Sequence, residues 1–260
     1  MAASKQPSAA KKKAAPRRVK SQHTLCIDVG GTHVKSGIVA PDGTMQPDHA
    51  RVATPHPCSP EMLIEIIETL TKPLGHFDRI SIGFPGAVRR GIILTAPNLS
   101  DPAHDGSEWH AIDLAGALHH RLKRPARLAN DAEIQGLGAI TGIGLETVIT
   151  LGTGMGFAMF TDGIPAPHLE LGQHNAHKNK SYDHYVGHAV LEKIGPKKWR
   201  KHVDRVIAQL RVLTNFDILY IGGGNARLIE AAPTPDIKLI ANETGITGGV
   251  RLWDGIAHST

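Results

Sequence analysis

The chain has little cysteine and no long apolar run. Two cysteines in 260 residues, Cys26 and Cys58, argue against a disulfide scaffold and suit a reducing cytoplasm. No stretch of about 18 apolar residues occurs, so no membrane span and no membrane partner are expected. No apolar segment follows the basic N-terminus, so no signal peptide is expected either. Acids are missing from residues 1–22, which hold seven cations: Lys5, Lys11, Lys12, Lys13, Arg17, Arg18 and Lys20. Of 29 Lys and Arg, that leaves 22 in the body against 24 Asp and Glu, so the body is nearly neutral. The net charge of +5 therefore belongs to a tail and not to a binding face of the fold.

That tail is rich in Ala, Lys, Pro and Ser and lacks apolar anchors. It cannot offset the entropy of ordering and is expected to be disordered. Its roles stay open between a solubilising arm and a contact with a polyanion such as nucleic acid or polyphosphate. A transit peptide fits less well, since those are usually Arg- and Ser-rich and amphipathic. The rest is long enough for a large core in two lobes. No short sequence repeat is visible.

Glycine is where the information lies. Asp28-Val29-Gly30-Gly31-Thr32-His33-Val34-Lys35, Leu151-Gly152-Thr153-Gly154-Met155-Gly156 and Gly222-Gly223-Gly224 each follow an apolar β-type run, Thr24–Ile27, Thr147–Leu151 and Ile218–Ile221. Glycines at strand ends let backbone N–H groups approach an anion with no Cβ in the way. Between the first and second lies Asn130-Asp131. One such turn alone is more often structural; the set, in this order, points to phosphate handling.

Strands are expected at Thr24–Asp28, Val34–Val39, Arg79–Gly83, Arg127–Ala129, Thr147–Leu151, Gly156–Thr161 and Ile218–Ile221. Pro41-Asp42-Gly43-Thr44 reads as a hairpin-type turn. Helices are expected at Met62–Leu70, opened by Ser59-Pro60-Glu61, and at Ile112–Leu122, Glu133–Ile140, Tyr182–Ile194 and Trp199–Leu213, with another opening at Asn225–Glu230. Strands alternating with helices, with hairpins at both lobe starts, indicate an α/β fold in two similar halves.

Phosphoryl transfer to a hydroxyl needs a carboxylate to take the proton and positioned donors around the phosphate. Asp131 is the candidate base, and its position at a helix start also suits an N-cap. Thr32 and Thr153 can hydrogen-bond phosphate oxygens. Lys35 offers a point charge or is a solvated strand residue. Asn98 and Glu170, in loops, are turn residues or contacts to a polyhydroxy substrate. His168, His174, His177, His184 and His188 crowd one stretch. His184 and His188 stand at i, i+4, a spacing metal pairs use, but with no cysteine nearby a polar exposed segment is the expectation.

At these residues the chain resembles the ROK sugar kinases, of the actin/hexokinase superfamily, and most of all their polyphosphate glucokinase branch. The resemblance covers roughly residues 24–252. Its motifs are Asp28–Lys35, Gly83-Phe84-Pro85-Gly86, Pro97-Asn98-Leu99, Leu128-Ala129-Asn130-Asp131-Ala132, Leu151–Gly156, Glu170-Leu171-Gly172, Ile221-Gly222-Gly223-Gly224 and Gly248-Gly249-Val250. It implies a two-lobed actin-like, ribonuclease H-like fold. The expected division is a tail at 1–22, a small lobe at 23–129, a larger lobe at 130–244, and 245–260 packing back on the first. Asp131 would be the general base, with Asn98, Asn130 and Glu170 on sugar hydroxyls and position 173 beside them. Asp28, Gly30, Gly31, Thr32, Gly152, Thr153 and Gly154 would surround phosphate and Mg²⁺, the metal held through Asp28 by phosphate or water. Gly222, Gly223 and Gly224 would border the donor cleft. The implied activity is transfer of a phosphoryl group from polyphosphate or ATP to a hexose, glucose first, by a cytoplasmic homodimer.

Two departures stand out. The family follows its Glu-Leu-Gly with His, where this chain has Gln173. The Cys-rich run that holds structural zinc in many relatives is missing, as in the polyphosphate branch, so no zinc is expected. Twenty-two disordered residues cannot fold the helix-turn-helix of the repressor members. The alternative is a catalytically weak sugar-sensing or polyanion-binding protein of the same fold.

Overall fold

The apolar runs condense into two five-stranded sheets of the same topology. The computed structural model describes residues 22–100, 106–230, 234–241 and 244–254; the tail expected at residues 1–22 lies, apart from Gln22, outside them.

The first half runs β1 (Thr24–Val29), β2 (His33–Val39), β3 (Met45–Ala53), α1 (Pro60–Thr71), β4 (Arg79–Phe84), a small β5–β6 hairpin (Val88–Arg89, Ile92–Ile93), α2 (Leu114–Leu122), β7 (Ala126–Asn130) and α3 (Asp131–Leu137). The sheet order is β3-β2-β1-β4-β7. β1, β2 and β3 pair antiparallel, and β1, β4 and β7 run parallel. The parallel strands read as near-continuous apolar runs because both faces are covered. The β2–β3 turn is held by Asp42, whose Oδ1 accepts from the Thr44 N–H at 2.9 Å. Ser59 caps α1 by accepting from the Met62 N–H, with Pro60 in the first turn. Leu63, Ile67 and Leu70, one helical face, then bury against the sheet, each contributing about 1.5–3 kcal/mol.

The second half repeats the plan. β8 (Leu145–Leu151), β9 (Met155–Thr161) and β10 (Ile164–Pro165) are followed by a β11–β12 hairpin (Asn175–His177, Lys180–Ser181). Then come α4 (Asp183–Val186), α5 (His188–Ile194), α6 (Pro196–Thr214), β13 (Ile218–Gly222), β14 (Ile237–Leu239) and α7 (Thr244–Thr247). The order β10-β9-β8-β13-β14 again has three antiparallel strands and then two parallel partners.

α3 lies between the sheets. Ile134 touches Gly83 of β4, and Gly136 seats Phe160 and Val148 of the second sheet. One apolar cluster, including Ala129, Ile134, Leu137, Val148, Phe160 and Leu252, spans both halves. Residues 248–253 return to the first sheet. The Ser81 hydroxyl donates to the Gly249 carbonyl at 2.6 Å, and the Trp253 indole N–H donates to Ser81 Oγ at 2.9 Å. Trp253 also lies under the guanidinium groups of Arg79 and Arg127, 5.1 and 4.4 Å from its ring centre. A side chain at Gly248 would run into the Ile134 carbonyl, so this return needs glycine.

Three expectations need correction. The helix expected at Glu133–Ile140 begins at Asp131, because Asn130 caps it: Asn130 Oδ1 accepts from the Ala132 N–H, and Glu133 reaches back to the Asn130 N–H. The single helix expected at Tyr182–Ile194 is two, broken where Gly187 is extended (φ −67°, ψ 166°) and wedged against the Thr153 carbonyl. The helix expected from Asn225 is only a 3₁₀ turn, Ala226–Leu228, since the Asn225 side chain is spent elsewhere.

Candidate active site

Both leading hairpins end on glycine turns, and the two turns face each other. Gly30–Thr32 joins β1 to β2, closed by the Gly30 N–H on the His33 carbonyl at 2.9 Å. Thr54, the residue after β3, fixes it, its hydroxyl donating to the Gly30 carbonyl at 2.7 Å. Gly152–Gly154 joins β8 to β9 and is fixed by Asn225, whose amide donates to the Gly152 carbonyl at 3.1 Å. Gly223 makes this possible: its φ is +86°, and any Cβ there would strike the Leu151 backbone. A methyl on Gly31 would stand 3.5 Å from Asn98 Cβ and 3.7 Å from Thr153 Oγ1, so the halves meet at these turns.

Between them lies a cavity of about 370 Å³. It is lined by Asp28, Gly30, Gly31, Thr32, Lys35, Asn98, Asn130, Asp131, Gly152, Thr153, Gly154, Glu170, Gln173, Gly223 and Gly224. Of the residues that the resemblance assigns to sugar or donor, Gly222 stays outside this wall, buried in β13 against the Gln135 amide; His174, His177, His184 and His188 also lie outside it. Side chains that sequence reasoning passed over also line the cavity, among them Arg51, Gln135 and Asp183, and so does His168, which was expected in an exposed segment.

Asp131 opens α3, where Oδ1 accepts from the Ala132 N–H at 2.9 Å. It is half-buried and lines the cavity. Burial raises its pKa to about 7, and the charges of Asp28 and Glu170 add to the rise; the Ala132 N–H and His168 oppose it. A carboxylate poised near neutrality is suited to accept a proton. The capping role considered for Asp131 belongs to its neighbour. Asn130 caps the helix, and its amide donates to the Phe84 and Gly86 carbonyls at 3.3 and 3.1 Å, so its side chain is committed to holding the turn.

His168 is not part of an exposed polar segment. Its Nε2 lies 2.8 Å from Glu170 Oε1 and its Nδ1 3.5 Å from Glu133 Oε1, with only 7% of the side chain exposed. Burial opposes its charge, but the two carboxylates outweigh that and raise its pKa to about 9. Nδ1 has no hydrogen-bond partner at this distance, so the Glu133 contact is an ion pair and Glu170 holds the ring. Glu133 also belongs to the capping box of α3. An imidazolium thus ties Glu170 to the helix that carries Asp131. The signal available in the sequence was the His-x-Glu spacing of an extended segment, which puts both side chains on one side.

Asp183 is seated between the backbones of Gly154 and Gly172, with Oδ1 accepting from the Met155 N–H at 2.7 Å. Burial raises its pKa, the Met155 N–H opposes the rise, and the charge of Glu170 adds to it. Gln173 is exposed and donates through Nε2 to Asp183 Oδ2 at 2.7 Å. The β11–β12 hairpin brings these two together across ten residues, a fold-back that no local pattern announces. His184 and His188 fall in separate helices; His184 pairs with Ser181, and His188 sits near Asn225 and Glu192.

Asp28 pairs with Lys35 across β1 and β2 at 3.1 Å through Oδ2, while its other oxygen has no partner among the described residues. One free carboxylate oxygen beside backbone-lined turns fits Mg²⁺, which takes few protein ligands and fills its shell with water and phosphate oxygens. Among the described residues no group of three or more His, Cys, Asp or Glu gathers as a metal site. No described helix is long and apolar enough to cross a membrane, and both cysteines are free and buried.

Residues 24–174 match the model of the ROK family. The chain is 30% identical over 250 residues to a polyphosphate glucokinase of Mycobacterium tuberculosis, covering 90% of this chain and 92% of that one. Among solved structures, the inorganic polyphosphate/ATP-glucomannokinase of Arthrobacter sp. strain KM superposes with a TM-score of 0.77 at 28% identity, over 88% of this chain and 97% of that one. A ROK family glucokinase of Streptomyces griseus, in complex with glucose and AMPPNP, gives 0.68 at 20% identity over 88% and 98%, a likeness of fold.

Proposed function

The chain belongs to the ROK family, and from that premise we propose that it is a sugar kinase moving a phosphoryl group from polyphosphate or ATP to a hexose hydroxyl, glucose to glucose 6-phosphate foremost. One observation carries this: Asp131, with its pKa near neutrality, shares a cavity with two opposed glycine turns. The relatives' names support the donor and sugar, and extend the premise to ATP and mannose-type acceptors.

In this reading the sugar lies between Asn98, Glu170 and Asp131. Asp131 accepts the hydroxyl proton as the oxygen attacks, and His168 keeps Glu170 and α3 in register. The N–H groups of Gly31, Thr32, Thr153 and Gly154, with the Lys35 ammonium, hold the donor phosphates and meet the charge that develops on them, while the Gly30 and Gly152 N–H groups close the turns. Mg²⁺, held through Asp28, would neutralise phosphate charge when bound. The Gly223–Gly224 turn borders the donor side. Residues 1–22 would capture long polyphosphate: their deletion should raise KM for that donor and spare KM for ATP, most clearly at low salt, and equal KM values would remove the role.

A coupled assay over a panel of hexoses, with polyphosphate and ATP as alternative donors and Mg²⁺ present, tests the function. Turnover of glucose with either donor is expected. No turnover of any hexose with either donor would favour the sugar-sensing alternative.

A further inference from the structure

A second cavity, of about 320 Å³, is lined by Tyr185, Ile194, Lys198, Lys201, His202 and Arg205. Its cations come from one stripe of α6. Trp199, Val203, Val206 and Leu210 turn that helix's apolar face inward, which leaves Lys198, Lys201 and Arg205, at i, i+3 and i+7, exposed on the flank. Lys198 and Lys201 have no acidic partner among the described residues, and Asp204, the one acid of α6, pairs with neither. Arg205 donates to the Tyr185 hydroxyl at 2.8 Å, and His202 stacks on the Tyr185 ring at 4.0 Å. The cavity is therefore a rigid floor under unneutralised positive charge.

α4 contributes to both cavities. Asp183 at its start lines the first, and Tyr185 lines the second. The start of α5, two residues past α4, is tied to the glycine turn: the His188 N–H donates to the Gly152 and Thr153 carbonyls at 3.0 and 3.2 Å. α6 is tied to α4 in turn, through the Trp199 indole on the Val186 carbonyl at 2.8 Å and His202 against the Tyr185 carbonyl at 2.9 Å. The Gly152–Gly154 turn and the stripe are thus linked through the segment 183–188 and α6.

We propose that Lys198, Lys201 and Arg205 form an anchoring site for inorganic polyphosphate, holding the part of a long chain that does not react. The chemistry favours a ligand without bases. Tyr185, the one tyrosine of the lining, is buried and already stacked on His202, so it offers no free face to a nucleobase. The donor role of polyphosphate rests on the function proposed above; the binding does not.

The test uses the full chain and its Lys198→Glu/Lys201→Glu variant, with Lys198→Gln/Lys201→Gln as a milder pair. Anisotropy of end-labelled long-chain polyphosphate should show affinity falling about tenfold in the Glu pair and less in the Gln pair, with a weaker salt dependence than wild type. KM for long polyphosphate should rise by a similar factor, while KM for tripolyphosphate, KM for ATP and kcat stay put. Unchanged long-chain binding in both folded variants would overturn the site. So would an equal loss for tripolyphosphate, or a single-stranded oligonucleotide competing as well as polyphosphate. If long polyphosphate binds through these lysines but supports no transfer, the donor assignment fails and the site survives.

Discussion

Replacing Asp131 by Asn should remove activity and strengthen the fold at once. The amide can still accept from the Ala132 N–H at the first turn of α3, so the helix start survives. It cannot take a proton, and kcat should fall by at least roughly 10²-fold, the usual worth of a positioned general base. The wild-type carboxyl titrates at about 7 against an ordinary 3.8, chiefly because burial penalises its charge. Only about one tenth of it is ionised at pH 6, so wild-type kcat/KM should drop about tenfold per unit below neutrality. The same shift acts on stability. The folded state holds this proton more tightly than the unfolded state, so wild type loses stability as pH rises from about 4 to 7, and stays at the lower level above. About three units at 1.36 kcal/mol each sets a ceiling near 4 kcal/mol, which solvent in the cavity screens to roughly 2. Asp131→Asn should therefore melt about 4–8 °C above wild type at pH 8, with the gap closing toward pH 4. Differential scanning calorimetry at both pH values and a pH–rate profile measure the two halves. A wild-type profile flat from pH 5.5 to 8, together with equal melting at pH 8, would refute a buried titrating base here.

Other expectations follow from neighbouring contacts. His168→Gln removes a cation that favours ionised Asp131, so the acid limb of kcat/KM should move to higher pH and the sugar KM should rise; an unmoved limb would confine His168 to packing. Gln173→His can preserve a bond to Asp183 while changing reach, and should alter glucose kcat/KM by about 1–2 kcal/mol; identical glucose kinetics would show that position 173 does not touch the sugar. Gly248→Ala drives a methyl into the Ile134 carbonyl and should cost about 1–3 kcal/mol, read as a lower urea midpoint; an unchanged midpoint would mean the C-terminal return is not packed as described.

Much of this was legible locally. Apolar runs ended by glycines marked β1, β8 and β13, and Ser59-Pro60-Glu61 marked α1, because those signals act within a few residues. The glycine turns and Asp131 stand out in the sequence for the same reason, and the structure brings them to one cavity. What escaped depends on residues far apart. His168 looked like one of several polar histidines until Glu133, from α3, closed on its other side. Asp183 lay within a stretch expected to be one continuous helix, and only the wedge of Gly187 against Thr153 breaks that helix and seats the carboxylate. The Asn225 segment has helical composition, yet its side chain is drawn off to hold the opposing turn.

α3 touches both sheets along its length, and Asp131 is its first residue. A rod clamped between two plates is the natural axle for any turning of one plate on the other. Points near an axle travel least. Opening and shutting the cleft would thus carry the two glycine turns through the largest arcs and leave the Asp131 carboxylate almost where it was. In the proposed reaction the proton acceptor would then stay on station through the whole stroke, and only the two glycine turns would have to be brought to it.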